Sequence, residues 1–265
     1  MISLLEPIFK GPWAAHGESL ICASPPPPEA VPLSDWLAAP DRIDAALREH
    51  ARRKGYGDVR DLRPIASMWC MGYLAALLPP VAAAATLLQH RFPVEVAATA
   101  MVLGPDGVPT AFVIPTLGQP MRGRDAQGRY HCLIWQQIHP VFEALHAVAR
   151  VPRKILWGNA ARRLEDLLRF AGSQAAGHPG VAGDLDALFD RAAWTGESGV
   201  CPNPLHGKRK TVHVMRRGEQ TTVALHRQCC LYYLLPEMGY CGACPLDPAF
   251  RQGCADGLAE PADGA

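Results

Sequence analysis

The apolar positions between residues 41 and 200 recur mostly at helical spacing. One example is the stripe of Ile43, Leu47 and Ala51, which follows Asp41 and precedes Gly55. Asp41 is predicted to cap this helix at its N-terminus, and Gly55 is predicted to end it. The same spacing predicts helices over residues 41–54, 61–78, 81–90, 140–149, 152–170 and 184–193.

The apolar run over residues 68–88 is about as long as a membrane helix, but Pro79 and Pro80 interrupt it. A proline inside a helix lacks an N–H donor and clashes with the preceding turn, so the helix is expected to break there. The run therefore predicts two buried core helices and no membrane span.

Four other segments are rich in β-branched residues or alternate them with polar residues. Residues 96–103 and 108–114 flank Gly104-Pro105-Asp106-Gly107, and residues 211–216 and 220–226 flank Gly218. Each pair predicts an antiparallel hairpin, because a turn sequence joins two strand-like runs. Residues 115–129 and 201–205 are rich in Gly, Pro, Arg or Asn and predict loops.

Together these elements predict an α+β fold, in which helices pack with antiparallel β-hairpins and a cysteine-rich segment lies near the C-terminus. Residues 1–40 are expected to form a proline-rich arm, and residues 41–200 a mainly helical part with one hairpin. Residues 201–254 would contain the second hairpin and the cysteine-rich segment, and residues 255–265 a flexible tail.

The composition excludes some partners. With 265 residues, 49% of them hydrophobic, the chain can bury a sizeable core. Its net charge of +1 lacks the basic excess expected of a nucleic-acid-binding protein. No secretory signal pattern is visible at the N-terminus, so a cytoplasmic location is expected. In that reducing compartment, nine cysteines favour metal ligation or free thiols over disulfides.

Four of these cysteines lie within sixteen positions: Cys229-Cys230, ten residues, then Cys241-Gly-Ala-Cys244. The second pair has the spacing of a chelate, since a tight turn can direct both sulfurs at one metal. The adjacent pair is unusual, because neighbouring side chains in a strand point to opposite faces unless the backbone bends. From the residues alone, an iron–sulfur cluster, a structural zinc and two disulfides all remain possible.

This pattern resembles the signature of the ferric siderophore reductases of the FhuF type, Cys-Cys-x10-Cys-x2-Cys. The flanking residues agree with it, including His226-Arg227 before the motif and Pro245-Leu246 after it, and Leu156-Trp157-Gly158-Asn159-Ala160 resembles a second motif of that family. The resemblance implies that Cys229, Cys230, Cys241 and Cys244 bind a [2Fe-2S] cluster in the segment 201–254.

The resemblance also implies a function. The protein would be a cytoplasmic oxidoreductase of iron uptake that reduces siderophore-bound Fe(III) to Fe(II) by one-electron transfer. Its substrate would be a ferric siderophore, of hydroxamate type, bound by the helical part. Since no nicotinamide- or flavin-binding motif is present, electrons would come from an external donor such as a ferredoxin or a reductase. The protein would lie free in the cytoplasm or peripherally at the inner face of the membrane.

Basic residues precede the cysteines, and Arg216, Arg217 and Arg227 are candidate substrate-binding residues because they could attract an anionic ligand. A solvated hairpin edge accounts for the same charges. Two other functions remain open: an iron–sulfur electron carrier or iron sensor, and a binding protein stapled by zinc. Zinc is redox-silent, so a visible spectrum separates it from a cluster.

Overall fold

The longest helix runs through the core of the protein, and much of the rest packs on it. This helix, Arg63–Leu87, buries nineteen of its residues, including Trp69, Tyr73 and Leu77. The structure is a computed structural model that describes residues 1–174, 178–196, 199–216 and 219–250. The α-helices are α1 (Ala14–Glu18), α2 (Leu33–Leu37), α3 (Pro40–Arg53), α4 (Arg63–Leu87), α5 (Ala126–His131), α6 (His139–Ala149), α7 (Arg153–Gln174) and α8 (Pro179–Leu185).

In the described part of the chain, ten short strands accompany the helices. They are β1 (Leu20–Cys22), β2 (Val31–Pro32), β3 (His90–Arg91), β4 (Ala100–Leu103), β5 (Pro109–Ile114), β6 (Gln119–Pro120), β7 (Ala193–Gly196), β8 (Gly199–Pro202), β9 (Thr211–Arg216) and β10 (Glu219–Ala224). One sheet has four strands in the order β1-β5-β4-β2, and the others are the pairs β3-β6, β7-β8 and β9-β10. The α+β class predicted from the sequence is therefore confirmed.

Both predicted hairpins are present. In the first, β4 pairs antiparallel with β5, and Ala100 lies opposite Val113. In the second, β9 pairs antiparallel with β10, and Thr211 lies opposite Ala224. The residues 96–99, which were predicted as strand, form a turn in which Thr99 bonds back to Glu95.

The proline-rich residues 1–40 contribute to the four-stranded sheet. Leu20 in β1 lies opposite Phe112 in a parallel pairing with β5. Val31 in β2 lies opposite Met101 in an antiparallel pairing with β4. Trp36 in α2 is buried and stacks on Trp69 of α4, with ring centroids 5.2 Å apart. This part of the chain is therefore packed on the core.

The predicted break at Pro79 and Pro80 is wrong, because both prolines lie inside the continuous helix α4. Proline at position 80 cannot donate to the carbonyl four residues earlier, that of Ala76. The hydroxyl of Ser19 lies 2.7 Å from this carbonyl oxygen and 2.9 Å from that of His16, and its single proton can supply the missing donor at the shorter contact. α4 is long and apolar enough to cross a membrane, but 78% of its most apolar window is buried, as in a core helix of a soluble protein.

Several predicted element boundaries are also corrected. Asp41 does not cap α3, because it lies in the first turn of the helix. The N-cap residue is Ala39, whose side chain forms no capping hydrogen bond. The helix predicted to start at Pro140 starts earlier, because Pro140 lies within a continuous helical stretch that begins at Ala126. The predicted loop, which extended to Arg129, therefore ends before Ala126. The helical stretch comprises α5, the π-helical Cys132–Ile138 and α6, and the Asp125 side chain caps its start by accepting from the Gly128 N–H at 2.8 Å.

The region after α7 differs as well. The helix predicted over residues 184–193 begins earlier, with α8, and ends with the π-helical Asp186–Asp190. The strands β7 and β8 form an antiparallel hairpin that was not predicted, and Cys201 lies in it opposite Trp194. The predicted loop over residues 201–205 therefore starts only after Pro202. The predicted flexible tail over residues 255–265 lies outside the described residues.

Replacing Ser19 by alanine should destabilise the protein, because the Ala76 carbonyl then loses the donor that Pro80 cannot provide. The expected loss in the free energy of unfolding is about 1–2 kcal/mol, the usual cost of an unsatisfied, partly buried polar group. Chemical denaturation followed by circular dichroism measures it. Ser34→Ala is the matched control, since the Ser34 hydroxyl contacts only the exposed Asp35 carboxylate. Equal stability of the two variants would contradict the explanation.

Candidate metal centre

The four cysteines of the motif meet in two pairs. The sulfur of Cys229 lies 3.7 Å from that of Cys244, and the side chain of Cys230 contacts that of Cys241. Each sulfur pair thus joins one of the adjacent cysteines, Cys229 or Cys230, to one of the two cysteines at chelate spacing, Cys241 or Cys244. The described cysteines are all free thiols, so the disulfide alternative finds no support among them.

A backbone bend after Cys230 lets the adjacent cysteines converge. Leu231 has the left-handed φ of 64°, and a short 3-10 helix, Tyr232–Leu234, follows it. This bend directs the Leu231 N–H toward the sulfur of Cys229, at 3.3 Å, and the Tyr232 N–H toward the sulfur of Cys230. Such N–H donors stabilise negative charge on sulfur and shape the potential of a bound cluster.

A second turn positions the other pair of cysteines. The Cys244 N–H donates to the Cys241 carbonyl oxygen at 2.9 Å and closes the turn. The His226 N–H donates to the Ala243 carbonyl oxygen at 2.9 Å and joins this turn to the chain that leads into Cys229. The two halves of the motif are therefore connected through the backbone as well as through the sulfurs.

The two sulfur pairs fit a two-iron cluster. Two thiolates bound to one tetrahedral metal at about 2.3 Å lie about 3.8 Å apart, close to the separation of Cys229 and Cys244. Within the described ranges, no group of three or more His, Cys, Asp or Glu side chains could hold one metal ion. A [2Fe-2S] cluster takes two cysteines at each iron, which is the number that each sulfur pair provides.

Burial keeps the metal-free thiols of Cys229 and Cys230 protonated. Cys229, Cys230 and Cys244 are almost completely buried, and Cys241 is partly exposed. Burial raises the pKa of the Cys229 thiol to about 12, and burial also raises the pKa of Cys230, an effect that the Arg162 guanidinium partly offsets. Metal binding must therefore release protons from this site.

The remaining cysteines are dispersed. Cys70 is buried in α4, and Cys132 is buried with its thiol 3.1 Å from a Glu95 carboxylate oxygen. Cys22 is exposed, and Cys201 is half-buried in β8. Cys254 lies outside the described residues. Only Cys229, Cys230, Cys241 and Cys244 therefore form sulfur pairs in the part of the chain that the structure describes.

Helix α7 supports the cysteine segment through Gly158. A Cβ atom at this position would lie 2.6 Å from the Cβ of Gln228, the residue before Cys229. The next residue, Asn159, donates to the Ser67 hydroxyl of α4 at 2.9 Å and so connects α7 to the core helix. The sequence signal for this contact was the Gly-Asn pair inside a helix, since glycine costs helix propensity and is tolerated where packing requires it.

A buried carboxylate organises the basic residues around the motif. Glu165 of α7 accepts hydrogen bonds from Arg169, Arg209 and Arg227. Arg227 also donates to the Leu205 carbonyl oxygen at 2.6 Å, and its guanidinium lies 5.1 Å from the centre of the Phe189 ring. Sequence reasoning missed Glu165, whose only local signal is the helical spacing to Arg169.

Two further basic residues lie near the cysteines. Arg162, one turn after Gly158, donates to the sulfur of Met71 at 3.2 Å and acts electrostatically on Cys230. Burial, together with the Arg162 and Arg209 charges, lowers the pKa of His226 to about 4, so this imidazole is neutral at physiological pH.

The side chain of Arg216 and the whole of Arg217, both candidate substrate-binding residues, lie outside the described residues.

The fold and the paired cysteines define an iron–sulfur protein of the α+β class. The family model described as "Ferric iron reductase FhuF-like transporter" matches residues 67–221, and the model described as "FhuF 2Fe-2S C-terminal domain" matches residues 227–246. The chain belongs to this FhuF family. The second match covers all four cysteines and supports a [2Fe-2S] cluster as the cofactor.

A curated relative agrees. The "Ferric siderophore reductase" of Escherichia coli (strain K12) is 26% identical over 242 residues, which cover 88% of this chain and 87% of the relative. The identity is modest, but the match extends over nearly the whole of both chains. It supports a ferric siderophore reductase as the type of activity.

Solved structures of a different enzyme share the fold. Aerobactin synthetase IucA from a hypervirulent pathotype of Klebsiella pneumoniae has a TM-score of 0.51 at 16% identity, covering 67% of this chain and 38% of the synthetase. Its ATP-bound form has the same TM-score at 15% identity, covering 68% and 37%. The chain therefore spans well under half the length of the synthetase, and the likeness concerns the fold alone.

Replacing any one of Cys229, Cys230, Cys241 and Cys244 by serine should cause loss of the cluster, because a hydroxyl is a harder and less readily ionised ligand than a thiol. The same change at Cys22, Cys70, Cys132, Cys201 or Cys254 should leave the iron content unchanged. Iron and acid-labile sulfide per chain, with the electron paramagnetic resonance signal after dithionite reduction, measure the effect. Retention of iron by a Cys229→Ser variant, with loss in Cys201→Ser, would refute the ligand assignment.

Gly158→Ala should impair cluster retention although it changes no ligand. The added methyl group would meet Gln228 at 2.6 Å and push the cysteine segment away from α7, at a cost of about 1–3 kcal/mol for overpacking. Iron per chain and thermal unfolding of the purified variant measure the effect. Gly183→Ala is the control, since a Cβ at Gly183 meets no atom within 4 Å. Unchanged iron content and stability in Gly158→Ala would show that the contact is not needed.

Proposed function

We propose that this protein is a cytoplasmic reductase that binds an imported ferric siderophore and releases its iron as Fe(II). The observation that carries the proposal is the pairing of Cys229 with Cys244 and of Cys230 with Cys241, in a chain that belongs to the FhuF family. When bound there, a [2Fe-2S] cluster supplies reversible uptake of one electron at a time.

The reaction balances as a one-electron transfer. An external donor such as a ferredoxin or a reductase provides one electron, siderophore-bound Fe(III) accepts it, and the products are Fe(II) and the free siderophore. The hard oxygen donors of a hydroxamate siderophore bind Fe(III) much more strongly than Fe(II), so reduction releases the metal. The chain itself contributes binding, shielding and charge.

The cysteine segment provides shielding on one side and access on the other. Cys229, Cys230 and Cys244 are buried, so water has little contact with their sulfurs, whereas Cys241 is half-buried. The N–H groups of Leu231 and Tyr232 and the charge of Arg162 all favour negative charge at these sulfurs. We infer that electrons enter and leave at the side of Cys241, where a donor or substrate can approach most closely.

The basic residues before the motif would attract a ferric ligand that carries negative charge. Arg216 is the last residue of β9, and Arg217 and Arg227 come after it in the sequence. The guanidinium of Arg227 is anchored by Glu165 and by the Leu205 carbonyl, so its position is set without the ligand. Its part in binding is therefore to present a fixed positive charge close to the cysteines.

The experiment that tests the function is turnover by the purified, cluster-containing protein. A neutral ferric hydroxamate is supplied with a ferredoxin and its NADPH-dependent reductase, and Fe(II) is trapped by a coloured chelator. We expect the parent and the exposed-cysteine variant Cys22→Ser to release Fe(II) at the same rate. Cys241→Ser, which lacks the cluster, should show only the background rate.

Two outcomes would contradict the proposal in different ways. A protein that shows the cluster spectrum and becomes reduced by the donor, but releases no Fe(II), would be an electron carrier or an iron sensor. A colourless protein that contains stoichiometric zinc would be a zinc-stapled binding protein.

A further inference from the structure

A cleft with a volume of about 320 Å³ lies directly beside the cysteine motif. Its lining residues come from the segments on both sides of the cysteines: Lys208, Lys210, Leu225, His226, Arg227, Pro245 and Phe250. Pro245 follows Cys244 in the chain, and the backbone of His226 is bonded to Ala243 within the turn between Cys241 and Cys244. A ligand in the cleft would therefore lie next to the residues that hold this turn.

Some basic residues at the cleft are paired with carboxylates and others are not. Arg227 is bonded to the Glu165 carboxylate, and the neighbouring Arg209 is bonded to Glu165 and Asp166. Lys208 and Lys210 are exposed, and neither forms an ion pair with a carboxylate of the described residues. His226 is neutral at physiological pH and adds no charge. The two ammonium groups are therefore available to an anionic ligand.

The size and lining of the cleft are suited to binding one part of a small molecule. Its volume falls within the range of small-molecule sites, about 300–1,000 Å³. Leu225, Pro245 and Phe250 provide apolar walls beside the two lysines. Apolar walls with a few polar groups are typical of ligand pockets.

We propose that this cleft binds a free carboxylate of an anionic ferric siderophore, so that the protein prefers substrates with net negative charge. The proposal rests on the reductase function proposed above and specifies its substrate class. A ferric trihydroxamate is neutral, because the charges of its donor oxygens balance that of Fe(III), and it gains little from Lys208 and Lys210. A ferric complex that carries an additional, uncoordinated carboxylate can form charge-assisted hydrogen bonds with both lysines.

Binding is tested without turnover by replacing Fe(III) with Ga(III), which forms similar complexes and is not reduced. Calorimetric titration of the cluster-containing protein compares a neutral Ga(III) trihydroxamate with a Ga(III) complex that carries a free carboxylate. We expect the parent to bind the anionic complex about tenfold more tightly, the size of effect that two partly exposed ion pairs produce. In the double variant Lys208→Ala/Lys210→Ala this preference should disappear, while affinity for the neutral complex stays the same.

The control is the double variant Lys10→Ala/Arg42→Ala, which removes the same charge from exposed positions that do not line the cleft. It should keep the preference of the parent. The proposal is overturned if the parent binds both complexes equally, or if Lys208→Ala/Lys210→Ala keeps the preference.

A third result would assign the cleft to the electron donor and would also overturn the proposal. In that case Lys208→Ala/Lys210→Ala would bind both Ga(III) complexes normally and reduce both ferric complexes slowly with a protein donor, but at the parental rate with dithionite. Failure of the reductase function itself is recognised separately, because the parent would then release no Fe(II) from the neutral ferric trihydroxamate.

Discussion

The contact between Gly158 and Gln228 is the constraint on which the site depends. The segment that carries the cysteines has little regular structure, apart from the 3-10 turns that include Tyr232–Leu234. Its position must therefore come from packing, and α7 provides it by omitting a side chain where the segment passes. The bond from Asn159 to Ser67 fixes α7 on α4 in turn. Two consecutive residues thus connect the metal-binding segment to the centre of the core.

Much of the architecture could be predicted from local patterns. The hairpins followed from strand-like runs on either side of turn residues, and the cysteine site followed from spacing and family resemblance. The continuity of α4 could not be predicted, because the residue that compensates for Pro80 is Ser19, fifty-seven positions away from Ala76. The start of α5 at Ala126 was not predicted, because Gly128 and the neighbouring arginines indicated a loop although the Asp125 side chain caps the helix there. The role of Glu165 was missed because two of its partners, Arg209 and Arg227, are distant in sequence.

The basic residues around the site fall into two groups: arginines held by ion pairs with Glu165, and lysines without a carboxylate partner among the described residues. Glu165 is buried and shared by three arginines, so their positions are fixed, while its single negative charge balances one of their three positive charges. The lysines of the neighbouring loop have no such partner among the described residues and remain open to a ligand. The fold itself does not decide the function, since an aerobactin synthetase shares it without implying a common reaction. The specific chemistry lies in the cysteine segment and in the charges around it.

The bond between Ser19 and Ala76 also constrains how the chain reaches its native state. β1, which is synthesised early, has no strand partner until β5 has left the ribosome, because Leu20 pairs with Phe112. The middle turn of α4 likewise lacks one of its donors until this first segment has docked. Contacts between such distant positions raise the contact order and slow folding relative to a purely helical bundle. The cysteine segment is translated later still, and because its Leu235 belongs to the same hydrophobic core, the core is completed only together with the segment that carries the metal ligands.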